Sequence, residues 1–465
     1  MTDSSGYDIV ILGGGSGGYA CALRAAELGK RVALIEKDKV GGTCLHRGCI
    51  PTKALLHAAE IADQARDSAA FGVRASLEGI DMPAVNTYKD KVVTRLWKGL
   101  TGLVASRKID TIAGEGKLVS PTEVRVGDQV IRGEHVVLAS GSESRSLPGL
   151  TIDGDRVITS EHALSLDRVP ASVVILGGGV IGVEFASVWR SFGAEVTIVE
   201  MLPHLLPAED EASSKLLERA FRRRGIKYKL GTRFESVKDT PSGVTVTLEG
   251  GETLDAEVLL VAVGRGPVSA GLGYDEVGVS MDRGFVLADE YCQTNIPTIS
   301  AVGDLTPGLQ LAHIGFGEGI LVAERLAGLP VVPINYDGVP RVTYSDPEVA
   351  SVGITSATAA ERGIETTEIT YDLAGNGKSQ ILQTQGQAKV IATAPAAGES
   401  QPGPVLGIHL VGARVGELIA EAQLIYNWEA VPADVAQLIH PHPTQSEAIG
   451  EAHLALAGKP LHVHG

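Results

Sequence analysis

Short apolar runs closed by glycine punctuate this chain, and one such pattern occurs twice. Asp8-Ile9-Val10-Ile11-Leu12 leads into Gly13-Gly14-Gly15-Ser16-Gly17-Gly18, and Ser172-Val173-Val174-Ile175-Leu176 leads into Gly177-Gly178-Gly179-Val180-Ile181-Gly182. A continuous apolar run predicts a strand covered on both faces, as in a parallel sheet, where an alternating run would predict a half-exposed one. Each glycine turn opens a helical pattern, and each helix is followed by a second apolar run ending in an acid, Glu36 or Glu200. The copies keep one constant offset: Gly29 matches Gly193, Val32 matches Val196, and Glu36 matches Glu200.

Each part of the repeat has a mechanical reason. The first glycine permits the tight turn, the second lets a pyrophosphate approach the backbone, and the third packs helix on strand. The pyrophosphate then meets free N–H groups at a helix N-terminus. The acid accepts hydrogen bonds from the adenosine ribose. One Gly-x-Gly-x-x-Gly alone is only a glycine-rich turn, but two complete units predict two bound dinucleotides. Glu200 would repel a 2′-phosphate and no arginine follows it in Met201-Leu202-Pro203-His204, so the second nucleotide is expected to be NAD rather than NADP.

Beyond the repeat the pattern predicts a helix over 211–224, whose end Arg222-Arg223-Arg224-Gly225 suits a helix dipole and cap rather than a binding patch. Residues 149–167 read as a turn-rich crossing, and 275–330 as a return to the first unit. Strands are expected at 388–393 and 405–411, with 394–404 as a small-residue hairpin tip. The expected domains are 1–150 (first unit), 151–272 (second unit), 273–338 (return) and 339–465 (a mixed C-terminal domain).

Composition narrows the class. The 465 residues carry 40 basic and 56 acidic side chains, a net charge of −16, which argues against nucleic acid or an anionic membrane as partner. Met1-Thr2-Asp3-Ser4-Ser5-Gly6 has no leader character, and the most apolar stretch, 173–189, is broken by glycines and Glu184, so neither secretion nor a membrane span is expected. Four cysteines in so long a chain imply a reducing, cytoplasmic setting. Without a Cys-x-x-Cys or His-x-x-His pattern no metal is expected; the tail His462-Val463-His464 reads as a solvated terminus.

Two of the cysteines form the chemical candidate. Cys44 and Cys49 lie in Gly41-Gly42-Thr43-Cys44-Leu45-His46-Arg47-Gly48-Cys49-Ile50-Pro51-Thr52-Lys53. A disulfide needs Cα atoms within about 7 Å, whereas five helical residues rise about 7.5 Å. The pair can close only on a bent or broken helix, and Gly41, Gly42, Gly48 and Pro51 supply the distortion. A strained, accessible disulfide is of the labile, catalytic sort. Cys21 reads as core, and Cys292 has no visible partner.

That segment resembles the redox motif of the pyridine nucleotide-disulfide oxidoreductases. Three further stretches resemble motifs of the same family, in the same order. They are Val263-Gly264-Arg265-Gly266-Pro267, Thr294-Asn295-Ile296-Pro297-Thr298-Ile299-Ser300-Ala301-Val302-Gly303-Asp304, and His440-Pro441-His442-Pro443-Thr444-Gln445-Ser446-Glu447. The resemblance implies an α/β fold with two Rossmann-like domains, for FAD and NAD, and a C-terminal α+β dimerisation domain in a homodimer. It gives Cys44 the exchange with substrate and Cys49 the flavin-facing role. His442, from the partner subunit, would be the base, Glu447 would orient it, and Lys53 would pair with Glu184 near the flavin.

FAD would be held by Gly13, Gly15, Ser16, Gly17, Gly18, Glu36 and Lys37, by Gly42, Thr43, Cys44 and Lys53 of the redox segment, and by Gly116, Ser140 and Gly141. Gly303, Asp304, Leu311, Ala312 and His313 would complete that site, with Asp304 on the ribityl chain. NAD would meet Gly177, Gly179, Val180, Ile181, Gly182 and Glu200, then Phe234 by its backbone, Val263, Gly264 and Arg265. The chain departs from the family at Ala139-Ser140-Gly141, usually Ala-Thr-Gly, at 314–319, usually a more polar helix, and at Pro441, usually alanine.

Within the family, Glu200, Leu311-Ala312-His313 and the Pro-Thr-x-Ser-Glu ending favour the members that oxidise dihydrolipoamide carried on the lipoyl domain of a 2-oxo acid dehydrogenase acyltransferase. The alternative is an NAD(P)H-dependent reductase of a small disulfide such as glutathione or mycothione. Flavin oxidases that keep one active cysteine, and non-catalytic flavoprotein scaffolds, are disfavoured by the presence of Cys44, Cys49 and His442 together.

Overall fold

The computed structural model describes residues 6–462; the expectations for the first five residues and for Val463-His464 fall outside them. The strand Tyr7–Leu12 is the centre of a sheet, and its apolar run Ile9–Leu12 is buried as a continuous run requires. It pairs in parallel with Val32–Glu36 on one side and with Gln129–Leu138 on the other, Ile9 opposite Val32 and Leu12 opposite Leu138. Asp110–Ala113 extends one edge. Strand 129–138 also begins an antiparallel meander with 123–126 and 116–120.

The chain then returns to this sheet late in the sequence. Ile299–Ala301 adds in parallel to 136–138, and helix Ala312–Leu326 packs along helix Ser16–Glu27. The second packing explains the low polarity of 314–319. A Cβ at Gly319 would lie 2.3 Å from the Gly17 carbonyl oxygen, and one at Gly315 would lie 3.1 Å from the Gly17 nitrogen. The helices approach so closely there that small residues are required.

The second repeat builds a second parallel sheet in the order 227–229, 195–199, 172–176, 258–261, 157–158. Its last strand corrects the sequence reading, because the stretch 149–167 contributes an edge strand at Val157–Ile158 and a helical turn at Ser160–Ala163. Two residues are too few to show any period. The C-terminal sheet is antiparallel, in the order 341–343, 348–353, 405–412, 387–393, 366–372, with the expected hairpin at 394–404. Helices Val415–Asn427 and Glu447–Leu456 cover it around Val390, Ile408, Leu410 and Ile449.

A buried ion cluster ties the second unit to this sheet. Lys389 Nζ lies 3.0 and 2.9 Å from the two oxygens of Asp210 and 3.1 Å from Glu368, with Lys389 8% and Asp210 2% exposed. Asp210 also caps the helix at 211–223. Removing one partner strands the other charge in a poorly solvated site. Lys389→Met is therefore expected to cost about 3–5 kcal/mol of stability. Urea denaturation checks this, and an unchanged midpoint would show the pair to be energetically idle.

Candidate active site

The redox segment folds as its glycines require. Helix Gly42–Arg47 stops at Gly48, whose φ of −143° and ψ of −108° are not helical, and helix Cys49–Asp67 begins at once. Gly41 and Gly42 take positive φ, and Pro51 sits in the first turn, where its missing N–H costs nothing. Cys44 and Cys49 thus lie on two helices that meet at an angle, both as half-buried free thiols in hydrogen-bond contact with each other. A Cβ on Gly42 would lie 2.6 Å from the Cα of Gly15. This segment is therefore pressed directly against the first glycine turn.

The two thiols are driven apart in acidity. The hydrogen bond from Cys44 and the charge of Lys53 outweigh burial and lower Cys49 to about 7. The same bond, with burial, raises Cys44. Lys53 follows Cys49 by four residues, one helical turn, and both oxygens of Glu184 accept from its Nζ at 2.9 Å. Burial opposes the ammonium charge, but Glu184 overcomes this and holds Lys53 above its ordinary range. Glu184, 2% exposed, also accepts the Tyr344 N–H at 3.0 Å, and the Tyr344 ring lies 4.8 Å from Lys53 Nζ.

Both glycine turns fit a dinucleotide. Helices Ser16–Glu27 and Val180–Phe192 have no side-chain cap at Gly15 or Gly179, so their first N–H groups are open to an anion. A Cβ at Gly179 would meet nothing within 4 Å, which leaves room over the backbone. Gly13 and Gly177 take φ of 110° and 106°, and a side chain at either would strike a carbonyl oxygen at 2.2 or 2.3 Å. The repeat extends to its hydrogen bonds: Glu36 accepts the Gly14 N–H at 2.7 Å, and Glu200 accepts the Gly178 N–H at 2.6 Å.

Asp304 follows strand 299–301 of the first sheet and accepts the Ser142 hydroxyl at 2.6 Å. Arg265, expected on the nicotinamide side, donates to the oxygens of Ser142, at 2.8 and 2.6 Å, because its strand pairs with 142–144. Ser140 donates to the Val268 carbonyl at 2.6 Å, and His313 Nε2 lies 2.8 Å from the Pro340 carbonyl. Gly116 is packed beneath Leu12, whose Cδ1 would be 2.5 Å from a Cβ there. Lys37 is exposed beside Glu115, and Phe234 is half-buried at the start of an antiparallel strand.

The C-terminal motif forms its dyad. His442 Nδ1 lies 2.9 Å from Glu447 Oε1, and Glu447 Oε2 accepts the Thr444 N–H at 2.8 Å. With a carboxylate on Nδ1, that nitrogen is the donor, and Nε2 is left as the acceptor. Burial works against the Glu447 charge, but the Thr444 N–H and His442 hold the carboxyl below its usual range. Among the described residues no contact joins His442 to Cys44 or Cys49, and the His442 side chain is 76% exposed.

Comparison with known proteins decides the family. Residues 7–319 match the pyridine nucleotide-disulphide oxidoreductase family, and residues 339–453 match the dimerisation domain of that family. The chain belongs to the pyridine nucleotide-disulphide oxidoreductases. It is 40% identical to the mitochondrial dihydrolipoyl dehydrogenase of Pisum sativum over 98% of this chain and 92% of that protein. To the dihydrolipoyl dehydrogenase of Bacillus subtilis (strain 168) it is 39% identical, over 98% and 99%. A leghemoglobin reductase of Glycine max is also 39% identical, over 98% and 88%. Among solved structures, LpdA of Mycobacterium tuberculosis superposes with a TM-score of 0.89 at 28% identity, covering 96% of this chain and 99% of that one. The expected fold class, two dinucleotide-binding units and a dimerisation domain, is that of this family.

Several residues of the site carried no sequence signal. Ser142 and Tyr344 bridge elements far apart in the chain. Glu318, 2% exposed and raised by burial, accepts the Gly303 N–H at 2.6 Å and the Tyr336 hydroxyl at 2.7 Å, so it holds the turn that carries Asp304. Asn376, also 2% exposed, donates to the Thr444 carbonyl at 2.9 Å beneath the base loop. The departure of 314–319 from the family pattern was the only pointer to any of these.

Proposed function

We propose that this enzyme oxidises protein-bound dihydrolipoamide to lipoamide. The Cys44–Cys49 pair takes the two electrons, FAD would carry them on to NAD, and the chain serves as the flavoprotein component of a 2-oxo acid dehydrogenase complex. The observation that carries this reading is the contact of Gly42 with Gly15, which sets a dithiol pair against a dinucleotide turn. Relatives named dihydrolipoyl dehydrogenase, similar along almost their whole length, support the choice of substrate.

The chemistry is thiol–disulfide exchange, which needs a thiolate. His442 of a second copy takes a proton from the substrate dithiol at Nε2. The resulting thiolate attacks Cys44 of the oxidised pair, forming a mixed disulfide and releasing Cys49 as thiolate. The second substrate thiol then attacks the substrate sulfur of the mixed disulfide, its proton passes to the departing Cys44 sulfur, and lipoamide leaves with its disulfide closed. Both electrons now reside on the Cys44–Cys49 pair. FAD, when bound, supplies the two-electron carrier between this pair and NAD. Lys53 and the Cys44 hydrogen bond favour the Cys49 thiolate during that transfer.

A homodimer follows from the dimerisation domain and from the exposed surface beside the base loop. Leu438 and Ile439, immediately before His440, are 59% and 97% exposed. A second copy covering this apolar patch removes it from water and presents His442 to the other chain. A cytoplasmic location is proposed from the small number of cysteines, four in so long a chain. No helix among the described residues is long and apolar enough to cross a membrane.

Anaerobic titration with dihydrolipoamide tests the reading. A long-wavelength thiolate-to-flavin band should develop, and NADH should form when NAD is added. NADP should react about a hundredfold more slowly or worse, because Glu200 would face its extra phosphate. Inertness to dihydrolipoamide, with ready reduction by NADPH and reoxidation by glutathione disulfide or mycothione, would reassign the enzyme to the small-disulfide reductases.

A further inference from the structure

A second histidine lies behind the proposed base. His440 Nε2 is 2.7 Å from Glu421 Oε1 on helix 415–427, and the His440 side chain is only 11% exposed. The other edge of the ring rests on helix 447–456 at Gly450. A Cβ at Gly450 would lie 2.5 Å from His440 Nδ1 and 2.9 Å from its Cε1. Gly450 lies within a regular helix, where alanine would ordinarily be the better helix former. The glycine is therefore a seat for the imidazole.

We propose that Glu421 and His440 form a second histidine–carboxylate pair whose task is to position the loop carrying His442. The inference rests on the reading of His442 as the base. Only Pro441 separates the two histidines, so the backbone at His442 inherits the placement of His440. Two other ties hold the same loop, the Asn376 amide on the Thr444 carbonyl and the Thr444 hydroxyl on the Pro441 carbonyl, at 2.9 and 2.7 Å. The Glu421–His440 pair is the tie that joins the loop to a different helix, and it fixes the loop where His442 begins.

Electrostatics points the same way. The hydrogen bond to Glu421 holds the His440 imidazole above its ordinary range, and burial only partly offsets this. The charge on His440 also helps to keep the Glu447 carboxyl low. Facing this group from helix 447–456, His453 is fully buried and lowered to about 4 by burial, so it stays neutral and adds no competing charge.

Three variants of the full-length holoenzyme test the proposal: His440→Ala, His440→Gln and Gly450→Ala. Each is assayed for dihydrolipoamide oxidation and for NADH-driven reduction of an artificial acceptor, which needs no base. Misplacing a catalytic group by about 1 Å costs roughly a hundredfold in rate. His440→Ala and Gly450→Ala should lower kcat for dihydrolipoamide by about ten- to a hundredfold. KM for NAD and the NADH-driven reaction should stay at wild-type levels. His440→Gln, which keeps a donor for Glu421, should recover part of the loss. Wild-type kcat in both Gly450→Ala and His440→Ala overturns the proposal, as does an equal fall in both reactions. A His442→Gln control that itself retains full oxidation shows instead that the reading of the base is at fault.

Discussion

Cys49→Ser enzyme is expected to oxidise dihydrolipoamide about 10³-fold more slowly than wild type, or worse. The reason is the balance of electrons. A dithiol can be oxidised only if both its electrons are accepted, and a lone Cys44 thiol offers the substrate thiolate no disulfide to attack, so not even the mixed disulfide can form. Cys44→Ser should be equally inactive, yet the two variants should differ in colour. Cys49 is the thiol that its surroundings lower, to about 7, while Cys44 is raised. Cys44→Ser keeps a hydroxyl donor for Cys49 and keeps Lys53 nearby, so it should show the long-wavelength thiolate-to-flavin band as isolated. That band should fade as pH falls, because the thiolate exists only above its own pKa, which the donor and Lys53 hold below the ordinary thiol range. Cys44→Ala removes the donor, which is the largest cause of the shift, and should move the fading to higher pH. Cys49→Ser should show no band at any pH. The reverse pattern, a band in Cys49→Ser and none in Cys44→Ser, would exchange the proposed roles of the two thiols.

What could be read from the sequence was local geometry. The glycine turns and their acids repeat because each is specified by neighbours within one βαβ unit, down to the paired N–H bonds on Glu36 and Glu200. A break in the helix followed from the spacing of the cysteines, since two residues five apart cannot meet on an unbroken helix, and the structure places it at Gly48, one of the four residues that could supply it. Contacts across the fold have no such signature. Lys53 and Glu184 stand 131 residues apart and Ser142 and Asp304 stand 162 apart, so only family resemblance suggested the first and nothing suggested the second. At Arg265 the turn was recognisable, but its bonds to Ser142 come from strand pairing with 142–144, which the sequence does not display. The stretch 149–167 failed for a different reason, since a two-residue edge strand has no periodicity to find.

Replacing His442 by glutamine should lower kcat for dihydrolipoamide oxidation by about 10²- to 10⁴-fold, the usual range for loss of a positioned general base. Substrate thiols are mostly protonated near neutral pH, and the exchange needs a thiolate. Glutamine preserves size and a donor toward Glu447 but cannot take a proton. The NADH-driven reaction with an artificial acceptor bypasses the base and should be retained; if it falls by the same factor, His442 is not acting as the base. The geometry adds a sharper expectation. His442 is 76% exposed on its own chain and has no contact with the cysteines there, so the base should work in trans. Co-expression of His442→Gln with Cys49→Ser chains then gives mixed dimers in which the intact cysteine pair of one chain faces the intact histidine of the other. Each mixed dimer has one complete site in two, so purified mixed dimers should recover about half of wild-type activity although both parents are inactive. If the base worked within a single chain, every site in the mixed dimer would lack one component and no activity would return. Activity of the mixed dimer therefore separates the two arrangements without reference to any distance between subunits.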